Sequence, residues 1–403
     1  MKKTIAKQTA ICLLSVCMLG INAPTANLAS IDKVYVQPEL PEIEGLIIAP
    51  DDKLPKLTAR SAVVMDAATG MILYERDMNA RRYPASTTKM MTLIIALENG
   101  RLDDMVTISR NAAGLEGSTL WLEEGDRIKM RELLMGMMMH SGNDATVAVA
   151  EHIAGSVPAF AKMMTERAHE LGAKDTNFVN ANGLPDDNHY TTAHDLAVIA
   201  SYGYTIPEFE GFVSQQEISY DWVKDETHRL RNENQMLWLY RGANGIKTGY
   251  TEKAGRCLVS GARRDGLQLV SVVLDSVYMW NDSIALLDYG FSQVMPVKLA
   301  KKGENVGNVK ISAAAKNELS VAADSDFIVP KKIGEHPKIE KKIEPKENLA
   351  APVKKGDVVG KLACYYDGKR MGAIDIVATE NVGEGSLFMR LKAWIANLME
   401  KFF

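Results

Sequence analysis

From about residue 59 onward, apolar and polar residues follow regular patterns along the chain. The segments SAVVMD and MILYER flank the turn sequence AATG and predict a β-hairpin. Apolar positions at helical spacing then predict a helix over residues 86–98 and a mainly helical region to about residue 202. Strands return with NGIKTGY, GRCLVSGARR and LQLVSVVLD, and the helix NDSIALLDYGFSQV closes the unit. The pattern predicts an antiparallel sheet assembled from both ends of this segment, with helices inserted between them.

Beyond about Pro296 the pattern changes to short strand-like segments separated by Gly, Asp and Lys. The segments KISAAA, DFIVP and DVVGKLACYYDGKRMGAIDIVA predict a small all-β domain, a β-sandwich over residues 296–385. The basic segment PKKIGEHPKIEKKIEPKE contains interleaved Glu and Pro. A solvated loop or sheet edge is therefore expected there rather than a ligand-binding patch.

The two ends of the chain have patterns of their own. Lys2, Lys3 and Lys7 precede the apolar stretch AICLLSVCMLGI, which is shorter than an ordinary membrane span, and small residues follow. Residues 1–29 therefore predict a secretory signal, and the mature protein is expected to work outside the cytoplasm. Residues 30–58 are rich in Pro and acidic residues and predict an extended leader.

The last segment, SLFMRLKAWIANLMEKFF at 386–403, has an amphipathic helical pattern. Arg390, Asn397 and Lys401 fall on one side, and Leu, Trp, Ile and Phe residues make up most of the rest. The segment is too short and too charged to span a bilayer. A helix lying in the membrane interface and a terminal helix packed on the β-domain both fit this pattern.

Composition sets the scale and excludes one class of partner. With 403 residues, of which 46% are hydrophobic and 24% charged, the chain can bury a large core and is expected to form two domains, 59–295 and 296–385. The fold class is mixed α/β of the α+β type. A net charge of −4 without a basic stripe argues against nucleic acid as a partner.

Histidines and cysteines give no sign of a metal or a disulfide. The seven histidines form no metal-binding motif, so no metal or other cofactor is expected. His194-Asp195 is expected to begin a helix rather than to belong to a catalytic triad. After loss of the signal only Cys257 and Cys364 remain, in different predicted domains, and both are expected to be unpaired.

Candidate chemistry begins in the stretch PASTTKMM, which contains Ser86 and, three residues later, Lys89. Residues three apart on a helix share a face, so the Lys89 amine can lie beside the Ser86 hydroxyl. Free N–H groups at a helix start would favour an oxyanion there. The amine can act as a base only if burial and positive charge lower its pKa far below about 10.4. The spacing alone is weak evidence, since Ser30 and Lys33 share it, and a simple helix cap with a solvated lysine is the alternative.

Two further short motifs follow in order. HSGN places Ser141 and Asn143 after an apolar helix, at a turn expected at Gly142. IKTG, with Lys247, Thr248 and Gly249, lies in a predicted strand that offers a cation, a hydroxyl and a surface without a side chain. Each motif alone is also typical of an ordinary turn or strand end.

Taken together, SxxK, SxN and KTG resemble the signature of the penicillin-binding proteins and serine β-lactamases. The surrounding words YPASTTKMMT, SGNDA, GIKTGYTEKAG and LLDYGF resemble the low-molecular-mass D-alanyl-D-alanine carboxypeptidases, over about residues 59–385. The resemblance implies a transpeptidase-like domain, a small β-domain after it and a terminal membrane-anchoring helix. The expected partners are the peptidoglycan stem peptide, β-lactam antibiotics and the outer leaflet of the cytoplasmic membrane.

The resemblance also implies roles in acyl transfer. Ser86 would attack the carbonyl between the last two D-alanines of a stem pentapeptide while Lys89 takes its proton. Ser141, linked to Lys89 and Lys247, would pass a proton to the departing D-alanine. The backbone N–H groups of Ser86 and Tyr250 would form the oxyanion hole, and β-lactams would acylate the same serine.

Substrate binding is implied for the remaining motif residues. Asn143 would hold a substrate amide, Lys247 and Thr248 would receive the terminal carboxylate, and Gly249 would lie along the substrate backbone. Relatives place an arginine between the last strands and the closing helix, where this chain has DSVYMWNDS without a basic residue.

The sequence is compatible with three classes of function. A carboxypeptidase is favoured. A β-lactamase would need a deacylating carboxylate, but no ExxxN stretch lies between Ser141 and Lys247. A non-catalytic wall-binding protein would not need Ser86, Lys89 and Ser141 together, whereas an endopeptidase acting on cross-links stays open as a variant of the first class.

Overall fold

The computed structural model describes residues 54–224, 227–314 and 316–385. The predicted signal, most of the predicted leader and the predicted terminal helix lie outside the described residues. Within the described ranges, no helix is long and apolar enough to cross a membrane.

The strands alternate with helices in the first part of the chain and follow one another in the last part. In chain order the strands are β1 (Ser61–Asp66), β2 (Ile72–Arg76), β3 (Met105–Thr107), β4 (Arg127–Lys129), β5 (Glu217–Ser219), β6 (Arg229–Arg231), β7 (Ala243–Thr251), β8 (Gly255–Arg264), β9 (Leu267–Ser276), β10 (Val294–Ala300), β11 (Asn305–Lys310), β12 (Glu318–Ala323), β13 (Phe327–Lys332), β14 (Ile339–Pro345), β15 (Val358–Tyr366) and β16 (Lys369–Ala378).

The α-helices lie between β2 and β10. In chain order they are α1 (Lys89–Asn99), α2 (Met130–His140), α3 (Asn143–Ala154), α4 (Val157–Glu170), α5 (Ala193–Gly203), α6 (Phe209–Val213), α7 (Met236–Leu239) and α8 (Met279–Gln293), and a 3-10 turn, Ala85–Thr88, leads into α1. His194 and Asp195 lie in the first turn of α5, which agrees with the prediction.

The main sheet has five antiparallel strands in the order β2-β1-β9-β8-β7. β1 from the start of the segment therefore pairs with β9 from its end, as the pattern predicted. Both faces of β1 are buried, which explains why its sequence is a continuous apolar run rather than an alternating one. Asp265 and Gly266 have φ of 49° and 83°, the left-handed conformation that a tight hairpin turn requires.

Helices cover the two faces of this sheet. On one face α8 contributes Trp280, Leu286 and Leu287 to a core shared with strand residues such as Val64 and Leu258. On the other face α1 to α6 build the larger core, which contains most of the buried methionines. Burial on both sides holds β7 and β8 rigidly, and this is the scaffold on which a site can be positioned.

Helix α8 begins at Met279, two residues before the predicted start. The buried carboxylate of Asp282 in its first turn accepts hydrogen bonds from Thr58 N at 3.0 Å, Ala59 N at 2.8 Å and Ser276 Oγ at 2.7 Å. A carboxylate at a helix N-terminus is favoured by the exposed N–H groups there. Asp282 thus joins the chain leading into β1 to the end of β9.

The helical region differs from the prediction in two respects. It contains the short hairpins β3-β4 and β5-β6, whose three-residue strands are too brief to leave a period-2 signal. The turn between α2 and α3 was expected at Gly142, but Ser141 takes the left-handed conformation, with φ of 60°. Gly142 is needed for a different reason, since a Cβ there would lie 2.7 Å from Leu120 Cγ.

The C-terminal part is a β-domain, as predicted. β10 pairs with β13, and the other strands form an antiparallel sheet in the order β11-β12-β16-β15-β14. Phe327 and Val329 from the first pair share one core with Leu319, Leu362 and other residues of the second sheet. The basic segment, residues 330–347, runs from the end of β13 through the connecting residues into β14, which is an edge strand of its sheet. Cys257 and Cys364 are buried and unpaired, as expected.

Candidate active site

Ser86 lies in a 3-10 turn, not at the start of an α-helix as predicted. The turn is closed by Thr87, whose N–H and hydroxyl both donate to Pro84 O, at 3.3 and 2.7 Å. Ala85 has φ of 49°, so the backbone changes direction immediately before Ser86. The α-helix proper begins three residues later, at Lys89.

Two glycines allow other segments to approach this turn closely. A Cβ at Gly183 would lie 1.8 Å from Ala85 O, and a Cβ at Gly249 would lie 3.0 Å from Ser86 N. Gly183 also has φ of 88°, which favours glycine. Strand β7 and the loop at Gly183 therefore hold the strained turn between them, and this fixes the Ser86 backbone N–H.

The Lys89 amine is completely buried next to the Ser86 hydroxyl. Lys89 Nζ lies 3.0 Å from Ser86 Oγ, 2.8 Å from Asn143 Oδ1 and 2.9 Å from Asn182 O. Burial, and then the positive charge of Lys247, lower the pKa of the Lys89 amine well below its usual value. A neutral amine has a lone pair, so Lys89 is equipped to accept the proton of Ser86.

Lys247 supplies a second buried cation from β7. Only 1% of the residue is exposed, and burial lowers the pKa of its amine, while Glu233 opposes this effect. Lys247 Nζ lies 4.0 Å from Glu233 Oε2 and 3.4 Å from Thr248 Oγ1. The predicted Lys-Thr-Gly motif therefore lies in a strand, as expected, with its lysine directed into the protein.

Ser141 is the buried hydroxyl of the second motif. Its residue is 2% exposed, and Ser141 Oγ has no hydrogen-bond partner within the described ranges. The expected links from Ser141 to Lys89 and Lys247 are thus not formed in this structure. A buried hydroxyl without a partner costs free energy, so the position demands a reason beyond stability.

Asn143 makes two contacts within the protein that the sequence did not predict. Its Oδ1 accepts from Lys89, and its Nδ2 donates to Glu116 O at 2.8 Å. Each end of the side-chain amide therefore makes one hydrogen bond within the protein. In this structure Asn143 orients the Lys89 amine and also ties down the loop that contains Glu116.

β7 is the last strand of the main sheet and carries the KTG motif along an open edge. Thr248 is 9% exposed, whereas Tyr250 is 62% exposed, so the motif runs from the interior to the surface. An edge strand leaves every second N–H and C=O unpaired on one side. An extended peptide could pair with this edge next to Ser86.

Sequence reasoning missed three contributors to the site. Asn182 acts through its backbone carbonyl, which no residue type signals. Glu233 follows β6 on a loop remote in sequence from every motif, and only the fold brings it to Lys247. His189 accepts from Val179 N through Nδ1 at 3.1 Å, so its Nε2 donates to Thr88 Oγ1 at 2.9 Å.

An open cleft of about 620 Å³ adjoins these residues. It is lined by His140, Arg229, Arg231, Asn232, Glu233, Gln235, Trp238 and Leu239. His140 directly precedes Ser141, and Glu233 lies 4.0 Å from Lys247 Nζ, so the lining includes two residues next to the site. Among the described residues no group of acidic, His and Cys side chains is arranged to hold a metal.

The segment between β9 and α8, where relatives place an arginine, contains no basic residue. The link between β9 and α8 consists of Val277 and Tyr278, and α8 opens with Met279 and Trp280. Between the first two motifs, the Lys89 amine makes the link, since it contacts both Ser86 Oγ and Asn143 Oδ1.

Comparison with known proteins gives two family matches. The model of the D-alanyl-D-alanine carboxypeptidase family matches residues 49–277, and that of the penicillin-binding protein 5 C-terminal domain matches residues 295–384. D-alanyl-D-alanine carboxypeptidase DacF of Bacillus subtilis is 33% identical over 83% of this chain and 88% of its own length. DacA of Haemophilus influenzae is 33% identical over 85% of this chain and 89% of its own length.

Solved structures resemble the fold as well. Penicillin-binding protein 5 from Haemophilus influenzae has a TM-score of 0.61 at 32% identity, covering 83% of this chain and all of its own. The D-alanyl-D-alanine carboxypeptidase DacD from Francisella tularensis has a TM-score of 0.58 at 32% identity, covering 85% of this chain and 97% of its own.

Proposed function

This chain belongs to the D-alanyl-D-alanine carboxypeptidase family, and from that premise we propose that Ser86 is the nucleophile that removes the terminal D-alanine from peptidoglycan stem pentapeptides. The protein is a serine-type D-alanyl-D-alanine carboxypeptidase. The observation that carries the proposal is the 3.0 Å contact between Ser86 Oγ and a fully buried Lys89 amine of lowered pKa.

Acylation follows from this pair. Ser86 Oγ attacks the carbonyl carbon of the penultimate D-alanine, and its proton passes to the neutral Lys89 amine. The negative charge that develops on the carbonyl oxygen is stabilised by the backbone N–H groups of Ser86 and Tyr250. The close approach of β7 at Gly249 supports this arrangement, because it brings the two backbones together.

Departure of D-alanine requires a proton on its nitrogen. Ser141 is the proposed donor, since its hydroxyl is buried, has no partner in the described part of the chain and follows the cleft residue His140. The C–N bond breaks as the Ser141 proton moves to the nitrogen, and a neighbouring lysine amine restores the proton to Ser141. Water then cleaves the Ser86 ester and regenerates the enzyme.

Substrate binding is proposed along the open edge of β7. The extended peptide would pair with this strand, and Gly249 leaves room for its backbone. Thr248 and Lys247 would face the terminal carboxylate. Asn143 is proposed to hold a substrate amide, as the resemblance implies, and also to position Lys89, whose amine its Oδ1 contacts at 2.8 Å.

Covalent binding of β-lactams is typical of this family. We propose that β-lactams acylate Ser86 Oγ in this chain too. A β-lactamase is less well supported, since the C-terminal domain match belongs to a penicillin-binding protein. A non-catalytic wall-binding role gives no reason to bury Lys89 beside Ser86. Endopeptidase action on cross-links would use the same site and is distinguished by its substrate.

Location and domain boundaries are further proposals. We propose a transpeptidase-like domain at 59–295 and a β-sandwich at 296–385, supported by family matches at 49–277 and 295–384. We also propose secretion through the signal at 1–29, followed by the leader at 30–58. The segment 386–403 would hold the enzyme at the outer leaflet of the cytoplasmic membrane, as its amphipathic pattern allows.

The test of the proposed function is release of D-alanine. The mature protein is incubated with diacyl-Lys-D-Ala-D-Ala, and free D-alanine is followed for the wild type and for Ser86→Ala. Steady release by the wild type and none by the variant is expected. Rapid turnover of penicillin without release of D-alanine would move the assignment to a β-lactamase.

A further inference from the structure

The terminal carboxylate of the substrate needs a cation at the mouth of the site. Lys247 is 1% exposed and lies 4.0 Å from Glu233, and Thr248 offers only a neutral hydroxyl. We propose that Arg256 on β8 is the residue that binds this carboxylate and selects substrates with a free C-terminus. The inference rests on the proposed carboxypeptidase function.

Strand register brings Arg256 to the KTG motif. Tyr250 of β7 lies directly opposite Arg256, and Thr248 lies opposite Leu258. Side chains of opposite residues in an antiparallel pair point to the same face, and so do those of every second residue along a strand. Arg256, Tyr250 and Thr248 therefore share one face, with Arg256 diagonal to Thr248. A diagonal separation of about 7–8 Å is within reach of a long side chain.

The guanidinium lies towards the surface at this point. Its central carbon is 5.8 Å from the centroid of the Tyr250 ring, which is itself 62% exposed, and Arg256 is half-buried. Tyr250 N is one of the two proposed oxyanion donors, so the residue opposite Arg256 touches the reacting carbonyl. The carboxylate of the leaving D-alanine lies only one residue further along the substrate.

Arginine suits this task better than the two lysines nearby. Its planar fork can hold both carboxylate oxygens, whereas an ammonium acts as a point charge. Lys253 in the same β7-β8 turn pairs with Asp187 at 2.9 Å and lies over the Tyr83 ring. Lys253 is therefore a matched control, a cation of the same hairpin whose removal should leave carboxylate binding intact.

The experiment compares two substrates, diacyl-Lys-D-Ala-D-Ala and its C-terminal amide, diacyl-Lys-D-Ala-D-alaninamide. Release of D-alanine or D-alaninamide is measured for the wild type, Arg256→Ala, Arg256→Lys and Lys253→Ala. Loss of a charge-assisted hydrogen bond should raise KM for the acid about 10- to 100-fold in Arg256→Ala, with a small change in kcat. The amide should be cleaved by this variant as by the wild type, and Arg256→Lys should fall between.

Each other outcome has a defined meaning. If Arg256→Ala keeps the wild-type preference for the acid over the amide, the proposal is overturned. This holds whether the rates for both substrates fall or neither rate falls. If Arg256→Ala is unfolded by thermal melting, Arg256→Lys decides, and an unchanged preference there overturns the proposal as well. A wild type that releases no D-alanine would instead contradict the proposed function, before any variant is compared.

Discussion

The contact between Asn143 and Lys89 leads to a prediction about how the side chain at position 143 affects the protonation of Lys89. Asn143→Asp would place a carboxylate oxygen where Oδ1 now lies, 2.8 Å from the Lys89 amine, in a site where Asn143 is 4% exposed. At this distance two opposite charges attract by about 6 kcal/mol at an effective dielectric constant of 20. Desolvation of the new carboxylate would offset part of this attraction.

The consequence is an amine that keeps its proton. If about half of the attraction survives, Lys89 is held protonated by roughly 3 kcal/mol, and its activity as a base near pH 7 falls about 100-fold. Asn143→Ala removes the same hydrogen bond without adding charge and should lower kcat/KM about 10-fold at every pH. Asn143→Ala is therefore the matched control for the added charge.

The assay is kcat/KM for diacyl-Lys-D-Ala-D-Ala between pH 6 and pH 10. Activity requires neutral Lys89, so the rate rises with pH through the pKa of this amine, which burial lowers in the wild type. The rising limb of Asn143→Asp should move to higher pH, with activity partly recovered in alkali. Superimposable profiles for the two variants would refute the assignment of Lys89 as the base.

Two further predictions concern the support of the site. Gly183→Ala should abolish activity and lower the free energy of unfolding by more than about 3 kcal/mol, because its Cβ would lie 1.8 Å from Ala85 O and its φ is 88°. The control is Gly114→Ala, where φ is 80° and no atom lies within 4 Å of the added Cβ. Equal melting temperatures for the two variants would contradict the packing described for Gly183. Burial lowers the pKa of His189 from 6.5 to about 4, so the neutral form stabilises the folded protein above pH 6.5, and about 3 kcal/mol is lost as the pH falls through 4. Urea unfolding at pH 7.5 and pH 4 measures this loss, which should be absent in His189→Gln, and an equal loss in the variant would rule out His189 as its source.

Much of the fold could be predicted because the signals were local. β8 begins and ends where GRCLVSGARR does, since Gly255 and Asp265-Gly266 bound a segment whose centre, CLVSGA, is mostly apolar. The Ser-x-x-Lys spacing likewise predicted the contact between Ser86 and Lys89, although the local structure is a 3-10 turn. That turn depends on Gly183, nearly a hundred residues away, and no local pattern could indicate it.

The remaining parts of the site depend on tertiary structure. Asn143 was expected to bind substrate, and its position at the start of α3 also brings it to Lys89 and Glu116, which no local pattern indicated. Glu233 adjoins Lys247 only because the loop after β6 folds over α2, where Glu233 N donates to Met139 O at 3.0 Å. Contacts of this kind involve residues distant in sequence and leave no periodic trace.

The central claim, that Ser86 forms an acyl-enzyme, is tested most directly by mass. The mature protein is mixed with benzylpenicillin, its intact mass is recorded over time, and the modified peptide is mapped by proteolysis. The account predicts the addition of one penicillin to the peptide containing Ser86, slow decay of the adduct, and no addition in Ser86→Ala. An adduct on another residue, or an unchanged adduct in the variant, would contradict it.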